Sequence, residues 1–311
     1  MRSLSIALAA SFIFSGSALA LDKWWPSKWG ADDELGAFNM LGPELTLKAA
    51  KLIKTGKTYR LGIETNKHTP AFKPRSFDVR ILMPNQYDGE AYGENKFGYA
   101  DDIIAGWIGV GSQLDGLGHP NQGGIYYNGK RAIDFVRVDG VKMFGIENIP
   151  PVVARGVLID MAACLGKDIL TEGTAYTREM IIECEQEQGL SIEEGDVVLF
   201  NSGWMNVLDS DPKRFGEVEP GVGISGAEYL VEKNVIAVGA DSWGVEVHPP
   251  EDPDIVYHVH QILMTYNGIY LLENMDTREL AKDKAYEFMF VLGPARLSGT
   301  VQSIINPIAI R

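Results

Sequence analysis

Two short apolar runs constrain this chain more than any other feature. They are RGVLIDMA (155–162) and GDVVLFNSGW (195–204), each entered by a glycine and each of buried-strand length. Between them lies TREMIIECEQEQG, which reads as a helix. Thr177 stands at its N-cap, Glu179 in its first turn and Gly189 at its exit. The pattern recurs downstream. AEYLVEKNVIAVGADSWGVEV reads as helix, buried strand and loop, and IVYHVHQILMTYNGIYLLEN follows roughly the same plan. AYEFMFVLGPARL closes as a strand. Upstream, Trp29–Gly56 opens as a loop, and a helix follows with Pro43 at its first turn and Gly56 as its stop. KTYRLGIET, FDVRILMP and ADDIIAGWIGVGSQLD read as three strands, and Asn128-Gly129 as a turn. No repeat, low-complexity linker or boundary interrupts the series. The expectation is a single mixed α/β domain.

Residues 1–20, MRSLSIALAASFIFSGSALA, are set apart from that domain. Arg2, the apolar run Leu4–Phe14 and Ala18-Leu19-Ala20 form the three regions of a secretory signal peptide. The run is too short and too broken by serines and a glycine for a membrane span. The mature chain is expected to be 21–311, soluble, and periplasmic or secreted. A net charge of -14 argues against nucleic acid and against an anionic membrane surface as partners. Export permits a disulfide between Cys164 and Cys184. Nothing in their spacing requires them to meet, so two buried free thiols are expected.

The chemistry concentrates in GVGSQLDGLGHP (109–120). Asp115 and His119 are ordinary ligands for zinc or manganese, and the surrounding glycines let the backbone turn tightly around an ion. The same spacing also suits a turn in which Asp115 caps a helix and His119 sits in the core. Glu273 ends the apolar run GIYLLEN, where an acid is costly unless it is paired or metal-bound; Asp241 ends VIAVGAD in the same way. His68 reads as a surface residue and His248 as a candidate cleft residue. His258 and His260 share a face in a strand but not at a helix start, and one of them is expected to face the pocket of His119. GVGISG (221–226) satisfies a dinucleotide fingerprint but lacks a strand in front. It reads as a loop, with Ser225 capping a helix over Ala227–Glu232. No nucleophile elbow and no P-loop lysine motif is present.

With WGADDELGAFNMLGPE, GVGSQLDGLGHP, GDVVLFNSGW, NVIAVGADSWGVEV and HQILMTYNGIYLLEN in this order, the chain resembles the cyclase or kynurenine-formamidase-like metal-dependent hydrolases. That family includes bacterial arylformamidase and isatin hydrolase. The resemblance implies a swivelling β/α/β-like domain and a signature H-x-G-T-H-x-D-x-P-x-H. Asp115 and His119 match it. The first His falls on Gly109, the second on Gln113, the Thr on Ser112 and the Pro on Leu117. Downstream, the family's catalytic His falls on His260 and its late ligand on Glu273. With two imidazoles missing, the resemblance implies one divalent metal, Mn2+ or Zn2+, held by Gln113, Asp115, Glu273 and His119. His260, assisted by His119, would carry the proton. The implied reaction is hydrolysis of a small cyclic amide, a lactone or an N-formyl (aryl) amide. Trp107, Trp204 and Trp243 are the expected wall for an aromatic substrate, and a homodimer or homotetramer is implied. The alternative is a catalytically reduced periplasmic small-molecule-binding protein of the same fold.

Overall fold

The computed structural model describes residues 23–83 and 92–311. The segment read as a signal peptide lies outside the described residues. Among those residues, no helix is long and apolar enough to cross a membrane.

One nine-stranded sheet organises the chain. Its order is Thr58–Arg60, Ile308–Ile310, Glu287–Leu292, Val152–Asp160, Val197–Asn201, Ala237–Ala240, Tyr270–Glu273, Gln113–Asp115 and Gln302–Ile304. The four strands from Val152–Asp160 to Tyr270–Glu273 are parallel. Those outside them pair antiparallel. The apolar runs become the parallel strands because both of their faces are covered: all five residues of Val197–Asn201 are buried. The crossover helix Arg178–Gln188 begins where Thr177 Oγ1 accepts from Met180 N and ends at Gly189, which is left-handed at φ 68°. It packs beside a second helix, Ile224–Glu232. That helix starts earlier than expected, capped by the extended Gly223, while Ser225 Oγ accepts from Arg178 N instead.

Two further expectations are corrected. ADDIIAGWIGVGSQLD forms two strands. Asp101–Gly106 pairs with Phe77–Leu82 in a separate two-stranded ribbon, and Gln113–Asp115 joins the main sheet. The break falls at Gly106 and Gly111, both at positive φ, which redirect the chain between the two sheets. Cys164 and Cys184 are not free thiols but a disulfide, with Cα atoms 5.6 Å apart. The crossover explains it. The turn Met161–Cys164 leaves the end of Val152–Asp160, and the following helix returns along that strand with the buried Cys184 facing the exit. Period-3.6 and period-2 patterns do not report that meeting.

Candidate functional site

The antiparallel pairing at one side of the sheet assembles the site. Glu273 lies opposite Gln113, Leu271 opposite Asp115, and Gln302 opposite Asp115 on the other side. Residues two apart in a strand share a face, so Gln113, Asp115, Glu273 and Gln302 all project to the same side. The end of the pair is locked. Ser112 Oγ donates to Asn274 O at 2.6 Å and accepts from Ile63 N, and Asn274 Nδ2 donates to Gly111 O.

Above that face lies a cavity of about 360 Å³. Gln113, Glu273, His119 and His260 line its polar part, and Phe72, Trp243 and Tyr257 an aromatic part. Asp115 is fully buried beneath. Its Oδ1 accepts from Gln302 Nε2 at 2.8 Å and from Gln113 Nε2 at 3.2 Å. Its Oδ2 has no hydrogen-bond partner and lies 3.5 Å from His119 Nε2.

His260 arrives from a different element. The chain turns through Tyr257, left-handed at φ 53°, into the short helix His258–His260, which continues into the π-helical turn Gln261–Tyr266. The two histidines therefore diverge. His258 Nδ1 meets Gln261 Oε1, while His260 points to the cavity. Glu246 fixes it: Oε2 accepts from both the backbone N and Nδ1 of His260, each at 2.9 Å. A carboxylate can only accept, so in the neutral ring the proton sits on Nδ1 and Nε2 keeps its lone pair. That Nε2 is 3.6 Å from Glu273 Oε1.

Asp115, His260 and Glu273 each offer one ligand atom, and all three atoms lie within 4.8 Å of one another. Two buried carboxylates beside an imidazole, with one carboxylate oxygen unpartnered, are a donor set that fits a divalent cation. The electrostatics show the same crowding. Burial, reinforced by Asp115, pushes the Glu273 carboxyl up to about 7. Burial opposes charge on His260, but Glu246 and Glu273 outweigh it and raise its pKa well above the usual imidazole range. Burial lowers His119, against the pull of Asp115.

The residues singled out from the sequence separate in space. Gln113, Asp115, His119, His260, Glu273 and Trp243 come together at the cavity, whereas Trp107 and Trp204 do not. Trp204 is wholly buried in a separate cluster with Met205, Val207 and Phe215. The chain reaches it through the left-handed Gly203, and the ring joins that cluster and not the cavity lining. Trp107 follows the ribbon, half-exposed, its backbone N donating to Ser76 O. His260 stands in the same cluster as Asp115 and Glu273, with its Nε2 turned toward Glu273. Sequence reasoning misses Glu246, Gln302 and Arg75. A lone acid between the buried Val245 and Val247 is a usable signal for Glu246; the other two carry none. Of the other acids, Asp241 is fully buried, with Oδ1 accepting from Ser202 N and Oγ.

At Gly109, a Cβ would lie 2.7 Å from Arg75 Nη1 and from both amide atoms of Gln302. The place that a side chain there would take is filled by these two.

A parallel-centred α/β sheet with an acid–imidazole cluster at its antiparallel margin is the class that fold and site define. Residues 59–247 match the cyclase family, and the chain belongs to it. A solved structure described as a novel cyclase is 31% identical over 92% of this chain and 98% of its own, with a TM-score of 0.83. Isatin hydrolase A from Ralstonia solanacearum shares the fold at 19% identity, covering 88% of this chain and 99% of its own, with a TM-score of 0.62. Isatin hydrolase A from Labrenzia aggregata bound to benzyl benzoate does so at 19% identity, covering 84% and 94%, with a TM-score of 0.58. No curated protein matches the chain.

Proposed function

We propose that this protein is a metal-dependent hydrolase of a small cyclic amide, lactone or N-formyl (aryl) amide. The observation that carries the reading is the cluster of Asp115, His260 and Glu273 at a cavity walled by Phe72 and Trp243. Those three residues would hold a divalent cation, with the Gln113 amide oxygen as a further donor. The oxygen-rich set favours Mn2+ over Zn2+. A bound cation supplies Lewis acidity and a water of lowered pKa.

The chain's own residues do the rest. Glu246 orients the His260 ring. His119 is the imidazole left outside the three-atom cluster, and its Nε2 faces Asp115 Oδ2. It takes a proton from the attacking water and returns it to the leaving nitrogen or oxygen. Phe72 and Trp243, whose rings stack at 6.2 Å, hold a planar substrate against the site. The similarity in fold to isatin hydrolases supports a planar cyclic amide as the first substrate to try.

Metal content of the purified mature protein, and turnover of isatin, N-formylkynurenine and simple lactones with Mn2+ or Zn2+ restored, test the reading. Full activity in Asp115→Ala would end it. The glycine and glutamine at 109 and 113 favour a second reading, a binding protein that has lost catalysis. It requires tight binding of an unaltered aromatic ligand without stoichiometric metal. Export and assembly as a homodimer or homotetramer belong to the same proposal. N-terminal sequencing of the secreted protein and light scattering test them.

A further inference from the structure

Among the described residues, Arg75 is the only lysine or arginine that lines the cavity. Its Nη1 donates to Gly109 O at 3.0 Å. No ion pair engages it among the described residues, although acids crowd the floor below. Its seat is built for it. The bare Cα of Gly109 leaves the space that the guanidinium takes, since a Cβ there would approach Nη1 to 2.7 Å. Its backbone N donates to Phe72 O, so the turn that carries the aromatic wall also carries the cation.

A guanidinium anchored through one N–H, with the rest of its planar fork open to a cavity, is a receptor for a carboxylate. A chain with a net charge of -14 has otherwise little to offer an anion there. We infer that the small molecule this cavity takes carries a carboxylate beside its planar ring, and that Arg75 selects it. The inference rests on the cavity being the substrate site.

Calorimetric titration of benzoate, and of its neutral isostere benzamide, tests the idea on the whole metal-loaded protein, in wild type, Arg75→Gln and Arg75→Lys. Wild type is expected to bind benzoate more tightly than benzamide. Arg75→Gln is expected to lose about 10- to 100-fold for benzoate, as for a hydrogen bond to a charged group, with benzamide unchanged. Arg75→Lys, which keeps the charge without the fork, should fall between them. An unaltered melting temperature shows that the variants are folded. Equal benzoate affinity in wild type and Arg75→Gln overturns the inference, because the anion is then held elsewhere, by the metal for instance. An equal loss for benzamide overturns it as well, since Arg75 would then shape the wall without reading charge. Binding needs no turnover. A protein that hydrolyses nothing yet discriminates benzoate through Arg75 would refute the hydrolase reading alone.

Discussion

Glu246→Gln is the perturbation that most cleanly separates a ligand from a proton carrier at His260. One Glu246 oxygen accepts from both the backbone N and the ring Nδ1 of His260, at 2.9 Å each. A glutamine oxygen can accept the same two bonds, so the geometry survives and the charge is lost. Both residues are buried, so solvent does little to screen the change. A hydrogen bond to a charged group contributes about 1.5–3 kcal/mol. Loss of a carboxylate behind a metal-ligating imidazole lowers metal affinity about 10- to 100-fold, and each tenfold is about 1.4 kcal/mol. The two routes agree. At a metal concentration about 100 times the wild-type Kd, binding stabilises the fold by about 2.7 kcal/mol; a variant about 30-fold weaker would gain only about 0.9 kcal/mol. Competition against a chromophoric chelator gives the affinity, and denaturant titration with and without metal gives the stabilisation. If Glu246→Gln binds Mn2+ and Zn2+ as wild type does while Asp115→Asn does not, His260 is no ligand and the reasoning fails.

Three other outcomes follow from the structure. Gln113→His should raise affinity for Zn2+ more than for Mn2+ in the same competition assay, because it replaces an amide oxygen by an imidazole. Replacing both Cys164 and Cys184 by serine opens a link between residues 20 apart in sequence; it should cost about 3 kcal/mol in denaturant unfolding. Burial pushes the Asp241 carboxyl from 3.8 up to about 6. The folded state then holds that proton more tightly than the unfolded chain does. Its contribution favours folding below pH about 4, is lost as pH rises to about 6, and is constant above; the swing is about 3 kcal/mol at 1.36 kcal/mol per unit. Asp241→Asn should remove a fall in stability of about that amount centred between pH about 4 and about 6, and an unchanged slope there would refute the assignment.

The α/β plan is legible because buried strands need near-continuous apolar runs and their glycine borders survive as turns. Asp115 and Glu273 stand out for the related reason that acids at the ends of such runs need partners. What brings them together is not legible. It is the antiparallel register between Tyr270–Glu273 and Gln113–Asp115, a pairing across half the chain's sequence. Arg75 and Gln302 reach the site only through that sheet order and through a turn, so no periodicity marks them. Trp204 reads as a wall residue because it follows a strand end. Its ring packs instead with Met205, Val207 and Phe215 just downstream.

The crowding at Gly109 bears on which substitutions the site can accept singly. Gln302 is held by Asp115 and Arg75 by the carbonyl of Gly109 itself. An imidazole placed at position 109 would evict both at once, stripping Asp115 of one donor and displacing the only guanidinium that lines the cavity among the described residues. The glycine, the arginine and the glutamine therefore interlock, and a side chain introduced at 109 has to be matched by changes at 75 and 302 before it can be seated.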